Sequence, residues 1–141
     1  MKSNLLLATI VGAVVSFLLG WLLWGYLMMD YFNANMGETY VLLQKNPPEI
    51  WMIFVAQVLF AFLLAYIFDR TGTNNFMDGL KMGALIFFLI SAGFDVMLHA
   101  TVDVFKSHTA IIVDILMNVF MGAIIGGIIG QLMGRGKQQG A

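Results

Sequence analysis

The chain has 141 residues, of which 60% are hydrophobic and 11% charged, with a formal net charge of −1 and no cysteine. A soluble domain carries roughly 25% charged residues, and a small one leaves too much surface exposed to hide this much apolar area from water. The charge balance excludes a nucleic-acid surface or a polybasic arm for anionic lipid, and the absence of cysteine excludes disulfide exchange, thiolate metal sites and cysteine nucleophiles.

The composition therefore predicts an integral membrane protein with a single domain spanning 1–141. The first span, 5–29, carries no charge and is long enough to cross a bilayer of about 30 Å with some tilt. Its opening, Met1-Lys2-Ser3-Asn4 before three leucines, has the look of a signal peptide. Signal h-regions run roughly 7–15 residues, whereas this stretch continues to Trp21, Trp24 and Tyr26, which favours a retained helix. A long outer loop follows, in which Tyr40-Val41-Leu42-Leu43 predicts a short helix lying on the surface. The second span, 50–68, is opened by Asn46-Pro47-Pro48-Glu49, where prolines set the start and an acid meets the positive helix end. The third, 79–100, follows the loop Thr71-Gly72-Thr73-Asn74-Asn75, with Asp78 as the expected cap. The fourth, 109–133, is expected to end at Gly134-Arg135-Gly136-Lys137. The fold class is an all-α four-transmembrane-helix bundle.

Direction follows from the positive residues. With the amino terminus inside, Lys2, Arg70, Lys81, Arg135 and Lys137 fall on the cytoplasmic side, and only Lys45 and Lys106 fall outside, as the positive-inside rule requires. Asp30, Glu38, Glu49, Asp95, Asp103 and Asp114 then lie in the outer half or the outer loops. Trp21, Trp24, Tyr26, Tyr31 and Trp51 gather at the outer interface, where an aromatic belt belongs. The expected location is a cell inner membrane, crossed several times, with both termini cytoplasmic.

Each span carries small or polar residues at steps of four. They are Ala8, Gly12, Ser16 and Gly20 in the first span, and Gln57, Ala61 and Ala65 in the second. The third has Gly79 and Gly83, then Ser91, Asp95, His99 and Asp103, and the fourth Asp114, Asn118, Gly122, Gly126, Gly130 and Gly134. Residues four apart are helical neighbours, and small ones let backbones approach closely where lipid supplies no hydrophobic drive. Gly12, Gly20, Gly122, Gly126 and Gly130 are therefore expected to pack helices, within the chain or between copies in a homo-oligomer. Such a row drifts by about 40° per step, so it forms an inclined ridge rather than a flat face.

Ionisable side chains at membrane depth are costly and tend to face a bundle interior or a watery cavity. Asp95 lies five residues before Ala100 and Asp114 five after Thr109, and Gln57 reaches a similar depth from the same side. The depths predict an outward-facing cluster of Gln57, Asp95, His99, Asp114 and Asn118, with Tyr26, Asp30 and Ser91 nearby. An internal repeat is also visible. Gly12-Ala13-Val14-Val15-Ser16-Phe17-Leu18 parallels Gly83-Ala84-Leu85-Ile86-Phe87-Phe88-Leu89, and Gln57-Val58-Leu59 parallels Asn118-Val119-Phe120. Both halves start inside, so the finer expectation is two parallel-repeat helical hairpins, a transporter pattern.

The run Phe17-Leu18-Leu19-Gly20-Trp21-Leu22-Leu23-Trp24-Gly25-Tyr26 resembles the first-helix signature of a small bacterial four-span membrane family known only as a domain of unknown function. Gly79-x-x-x-Gly83 and Gly122-Ala123-Ile124-Ile125-Gly126 are similar to it too. Where that family has proline after its aromatic pair, this chain has Tyr26-Leu27. The resemblance implies a four-span inner-membrane fold and no activity.

Two function classes fit. In one, the polar cluster handles a proton, an ion or a small solute, as a carrier, channel or binding protein. Asp95, His99 and Asp103 at successive steps suit a proton or metal relay, with oxygen-rich ligands favouring Mn, Fe or Zn. In the other, a structural or accessory subunit uses the same residues only to lock helices together. No nucleophile–histidine–acid set and no phosphate loop is present, so neither an enzyme nor a bound cofactor is expected. The lipid bilayer is the expected partner, and nucleic acid is not.

Overall fold

The computed structural model describes the backbone of residues 2–139 and the side-chain surroundings of residues 4–135. Helix α1 (Lys2–Leu22) runs into a π turn (Leu23–Leu27), followed by the short helices α2 (Met29–Asn35) and α3 (Glu38–Leu43). The long helices α4 (Ile50–Thr71), α5 (Phe76–Thr101) and α6 (His108–Gln139) complete the chain. Four stretches are long and apolar enough, by length and composition, to cross a membrane: Asn4–Leu27, Ile50–Thr71, Phe76–Thr101 and His108–Arg135. With no strand among the described residues, the protein is an all-α four-helix bundle with the make-up of a multi-pass membrane protein.

Large side chains point out and small ones point in. Leu6, Leu18, Leu59, Leu89 and Leu116 are exposed, while Ala8, Ala13, Ala61 and Ala65 are buried beside Leu64, Phe68, Ile125 and Ile129. That arrangement suits a hydrocarbon solvent, where burying leucine gains little and close backbone packing gains more.

Several helix ends differ from expectation, and α4 runs on to Thr71 rather than stopping at 68. α5 begins at Phe76 rather than at residue 79, because Asn75 is its cap and Asp78 is not. The Asn75 side-chain oxygen accepts from the Asp78 backbone N–H at 2.9 Å, and its amide donates back to Asp78 Oδ2 at 2.6 Å. α6 does not stop at Met133 but runs on to Gln139. At the same end of the bundle, Gly72 closes α4 with φ at +74°, a left-handed conformation that glycine adopts without Cβ strain.

The loop after the first span is a folded cap. Gly37 N–H donates to Val104 O at 2.7 Å and Lys106 N–H to Asn35 O at 2.9 Å, so the α2–α3 junction is stitched to the α5–α6 turn. Phe105, Ala110 and Ile111 form a small core beneath it, with Met36 packed against them. α3 buries none of its residues, as the expected surface helix would not.

Within the bundle, α5 and α6 form the closest pair and α1 and α4 the next, while α1 also packs on α6. α4 and α5 barely touch. The gap between them positions the site.

Candidate ligand site

The ridge of α5 fixes what that helix buries. Its buried residues are Gly79, Gly83, Phe87, Ser91 and Asp95, a strict step of four along 17 residues of the helix. At the amino-terminal end of α5 the ridge is glycine and lies backbone to backbone against α6. A Cβ on Gly126 would stand 2.7 Å from Gly83 Cα, and one on Gly130 would stand 3.0 Å from Gly79 Cα. Gly122 meets Phe87 and the Gly83 carbonyl in the same seam. The expected glycine ridge of α6 is thus used inside the chain. Gly12 also packs inside, with Ile129 Cδ1 2.7 Å from where its Cβ would be. Gly20 does not pack, which corrects the expectation. A Cβ there would meet nothing within 4 Å, because α1 at this point faces open space.

That space is a cavity of about 740 Å³ between α4 and α5, backed by α1 and α6. Gln57, Asp95, Asp114 and Asn118 all line it, together with Gly20, Trp24 and Ser91. Asp95 is six residues from the end of α5 and Asp114 six from the start of α6, which puts both about 9 Å along their helices from the same end of the bundle. Phe60 and Phe87 bridge α4 and α5 deeper in, with ring centroids 6.0 Å apart, and form the floor.

The two carboxyls have unlike surroundings. Trp24 Nε1 donates to Asp114 Oδ1 at 2.8 Å, and Asn118 Nδ2 donates to Asp114 Oδ2 at 3.0 Å and to the Asp114 carbonyl at 2.9 Å. Asp114 is therefore held from the π turn that follows α1 and from its own helix. Asp95 is 6% exposed, lines the same cavity as Asp114, and its Oδ2 has no partner. Neither carboxylate can donate, so a bond between the two requires a shared proton. Gln57 is oriented from α1, whose Ser16 hydroxyl donates to Gln57 Oε1.

One expected member, His99, and two expected neighbours, Tyr26 and Asp30, stand off the cavity wall. His99 does not line the cavity. The drift of the ridge has carried it round to the start of α6, where its ring meets His108 at 5.0 Å and an interplanar angle of 71°. Its Nδ1 is buried without a partner, so no Asp95–His99 pair forms through that atom. Tyr26 and Asp30 are exposed and lie off the cavity wall. Among the described residues no three histidine or acidic side chains converge as a metal centre needs, so the metal relay finds no ligand set.

Trp24 is the residue the sequence reading misplaced. Trp21 is 64% exposed, as a belt residue should be, whereas Trp24 turns inward to Asp114. Within the π turn, Met28 N–H bonds back to Leu23 O at 2.8 Å, one residue further than in an α-helix. A signal was available, because Trp24 continues the row Ala8, Gly12, Ser16, Gly20.

A scan against protein-family models, a search of curated proteins and a search of solved structures each return no match. The family resemblance of the first-helix motif rests on its own residues.

Proposed function

We propose that this is a small membrane carrier or binding protein in which Asp95 and Asp114, assisted by Asn118 and Gln57, accept a proton, a cation or a positively charged small solute. One observation carries this reading: a buried carboxyl oxygen, Asp95 Oδ2, has no partner beside a second carboxyl in a roomy cavity. No lysine or arginine is among the residues lining that cavity. Two ionised carboxylates side by side in a poorly solvated wall repel, and a cation between them turns repulsion into attraction. Ionisable residues within membrane spans are rare and mark ion and solute pathways.

The distribution of Lys and Arg supports an inner-membrane orientation with both termini cytoplasmic, which makes the carboxyl pair outward-facing. A cysteine replacing Asn33 should react with an impermeant thiol reagent in intact cells, and one replacing Gln138 should not. The reverse labelling would overturn the orientation.

A second reading, an accessory subunit with polar residues as helix glue, draws support from the Ser16–Gln57 bond that ties α1 to α4 and the Trp24–Asp114 bond that ties the π turn to α6. Reconstituted vesicles separate the two. On the carrier reading, Asp95→Asn abolishes uptake of protons or monovalent cations while the protein elutes and melts normally. Uptake equal to wild type in that variant would leave the glue reading standing.

A further inference from the structure

The cavity is far larger than a proton or a bare metal ion needs. Its volume of about 740 Å³ falls within the roughly 300–1,000 Å³ of sites that enclose whole organic molecules. Its wall is divided. Phe60, Phe87, Ile90, Phe94, Met97 and Met121 supply an apolar, polarisable part, and the two carboxyls with Asn118 and Gln57 supply one polar end. Aromatic faces attract organic cations, and methionine adapts to guests of irregular shape.

The rim matters as much as the wall. Phe94 and Met97 are each more than half exposed and Gly93 is exposed, all on a stretch long and apolar enough to lie within a bilayer. The side on which α4 and α5 part is therefore the side that faces lipid. A guest can pass there without crossing the folded cap of α2 and α3.

We infer that the guest is an amphipathic organic amine, a protonated nitrogen on an apolar or aromatic body, which passes sideways from the bilayer between α4 and α5 and sets its nitrogen against Asp95 and Asp114. The inference rests on the carrier reading above and narrows it to a substrate class. Three features converge on it: charge complementarity at the carboxyl pair, the size and apolar lining of the cavity, and the lateral gap. A bound ammonium group would give Asp95 Oδ2 the donor it lacks, and the body would fill space that water fills poorly.

The test uses the full chain in lipid nanodiscs, with empty nanodiscs as the blank for partitioning. The probes are 4-phenylbutylammonium, its neutral counterpart 4-phenylbutanol, and ethylammonium. Phenylbutylammonium should bind saturably, and each of the other two at least about tenfold more weakly, since each lacks either the charge-assisted bond or the buried apolar body. Asp95→Asn should weaken phenylbutylammonium binding by about tenfold or more. Gly93→Leu, at a position where a Cβ would meet nothing within 4 Å, should slow association several-fold with the melting behaviour unchanged. Phenylbutanol binding as tightly as the amine, or no cost from Asp95→Asn, would overturn the anchoring. Unchanged association in Gly93→Leu would overturn the lateral route. Asp95-dependent uptake of protons or ethylammonium into vesicles, without saturable phenylbutylammonium binding, would sink the inference and leave the carrier reading in place. If Asp95→Asn changes neither assay, both fall.

Discussion

Helix α5 has one side sealed and one side open, and the two are built from different residues. Toward α6 its amino-terminal half presents Gly79 and Gly83, and the backbones approach until no side chain fits between them. Toward α4 it presents Ser91, Phe94, Asp95 and Met97, and the helices stand apart around a cavity. In lipid, helix association depends on close packing and on hydrogen bonds, not on hiding leucine from water. A helix therefore chooses its neighbour where its residues are smallest. Where they are large or polar it leaves room, and a carboxyl placed in that room is stranded unless something joins it.

The largest effect should come from breaking the sealed side. Gly126→Leu puts a branched side chain where even a Cβ would lie 2.7 Å from Gly83 Cα, and the obstacle is backbone that cannot swing aside. Overpacking of this kind costs about 3 kcal/mol. The variant should melt well below wild type in mild detergent. An unchanged melting temperature would mean that the seam is not where the stability lies.

The two carboxyls offer a sharper comparison, because the surroundings that differ are 2.8–3.0 Å hydrogen bonds to both Asp114 oxygens on one side and an unpartnered Asp95 Oδ2 on the other. Asp114→Ala leaves Trp24 Nε1 without its acceptor and leaves the Asn118 amide only the backbone carbonyl of residue 114, at a cost of about 2 kcal/mol for part-buried groups. Asp95→Asn removes a carboxylate that lacks a donor and installs an amide that can donate to Asp114, so stability should hold or rise. Thermal melts of the two variants side by side test the asymmetry. Equal losses would show that Asp95 is as well satisfied as Asp114.

Trp24→Phe is a milder change to the same arrangement. It keeps most of the ring's packing and removes one N–H donor from Asp114, which should cost about 1 kcal/mol. Trp21→Phe, on an exposed neighbour, should cost less, and a larger loss there would restore Trp21 and Trp24 to equal roles as belt residues.

The sequence carried the ridges more fully than the gap. Four of the five residues that α5 buries, Gly79, Gly83, Ser91 and Asp95, stand out as small or polar in an apolar helix, and only Phe87 is camouflaged. Gln57, Asp114 and Asn118 were legible for the same reason, since a polar group at membrane depth must find company. The parting of α4 from α5 was not legible. A stripe records that a helix face wants a neighbour and does not say which pair of helices will stand apart. His99 was misassigned because a step of four drifts around the helix, and one turn beyond Asp95 the side chain has left the cavity wall. Trp24 was misread because indole at a span's end usually anchors to the interface, and a π turn leaves no mark in composition. The cap built from Gly37, Val104, Asn35 and Lys106 depends on backbone hydrogen bonds between loops distant in sequence, which no side-chain pattern announces.

The smallest expected effect tests the open side most directly. Gly20 sits between Ser16 and Trp24 in a row whose other members are packed or bonded, yet a Cβ there would meet nothing within 4 Å. Glycine inside a helix costs about 0.5–1 kcal/mol relative to alanine, through the greater freedom it loses on folding. If Gly20 faces the cavity, Gly20→Ala recovers that amount and melts slightly above wild type, whereas Gly126→Ala, in the sealed seam, melts below it. The pair of opposite signs at two glycines from the same kind of ridge is the measurement. Should Gly20→Ala instead destabilise, α1 and α4 close over this point in the membrane, and the cavity is smaller than its walls indicate.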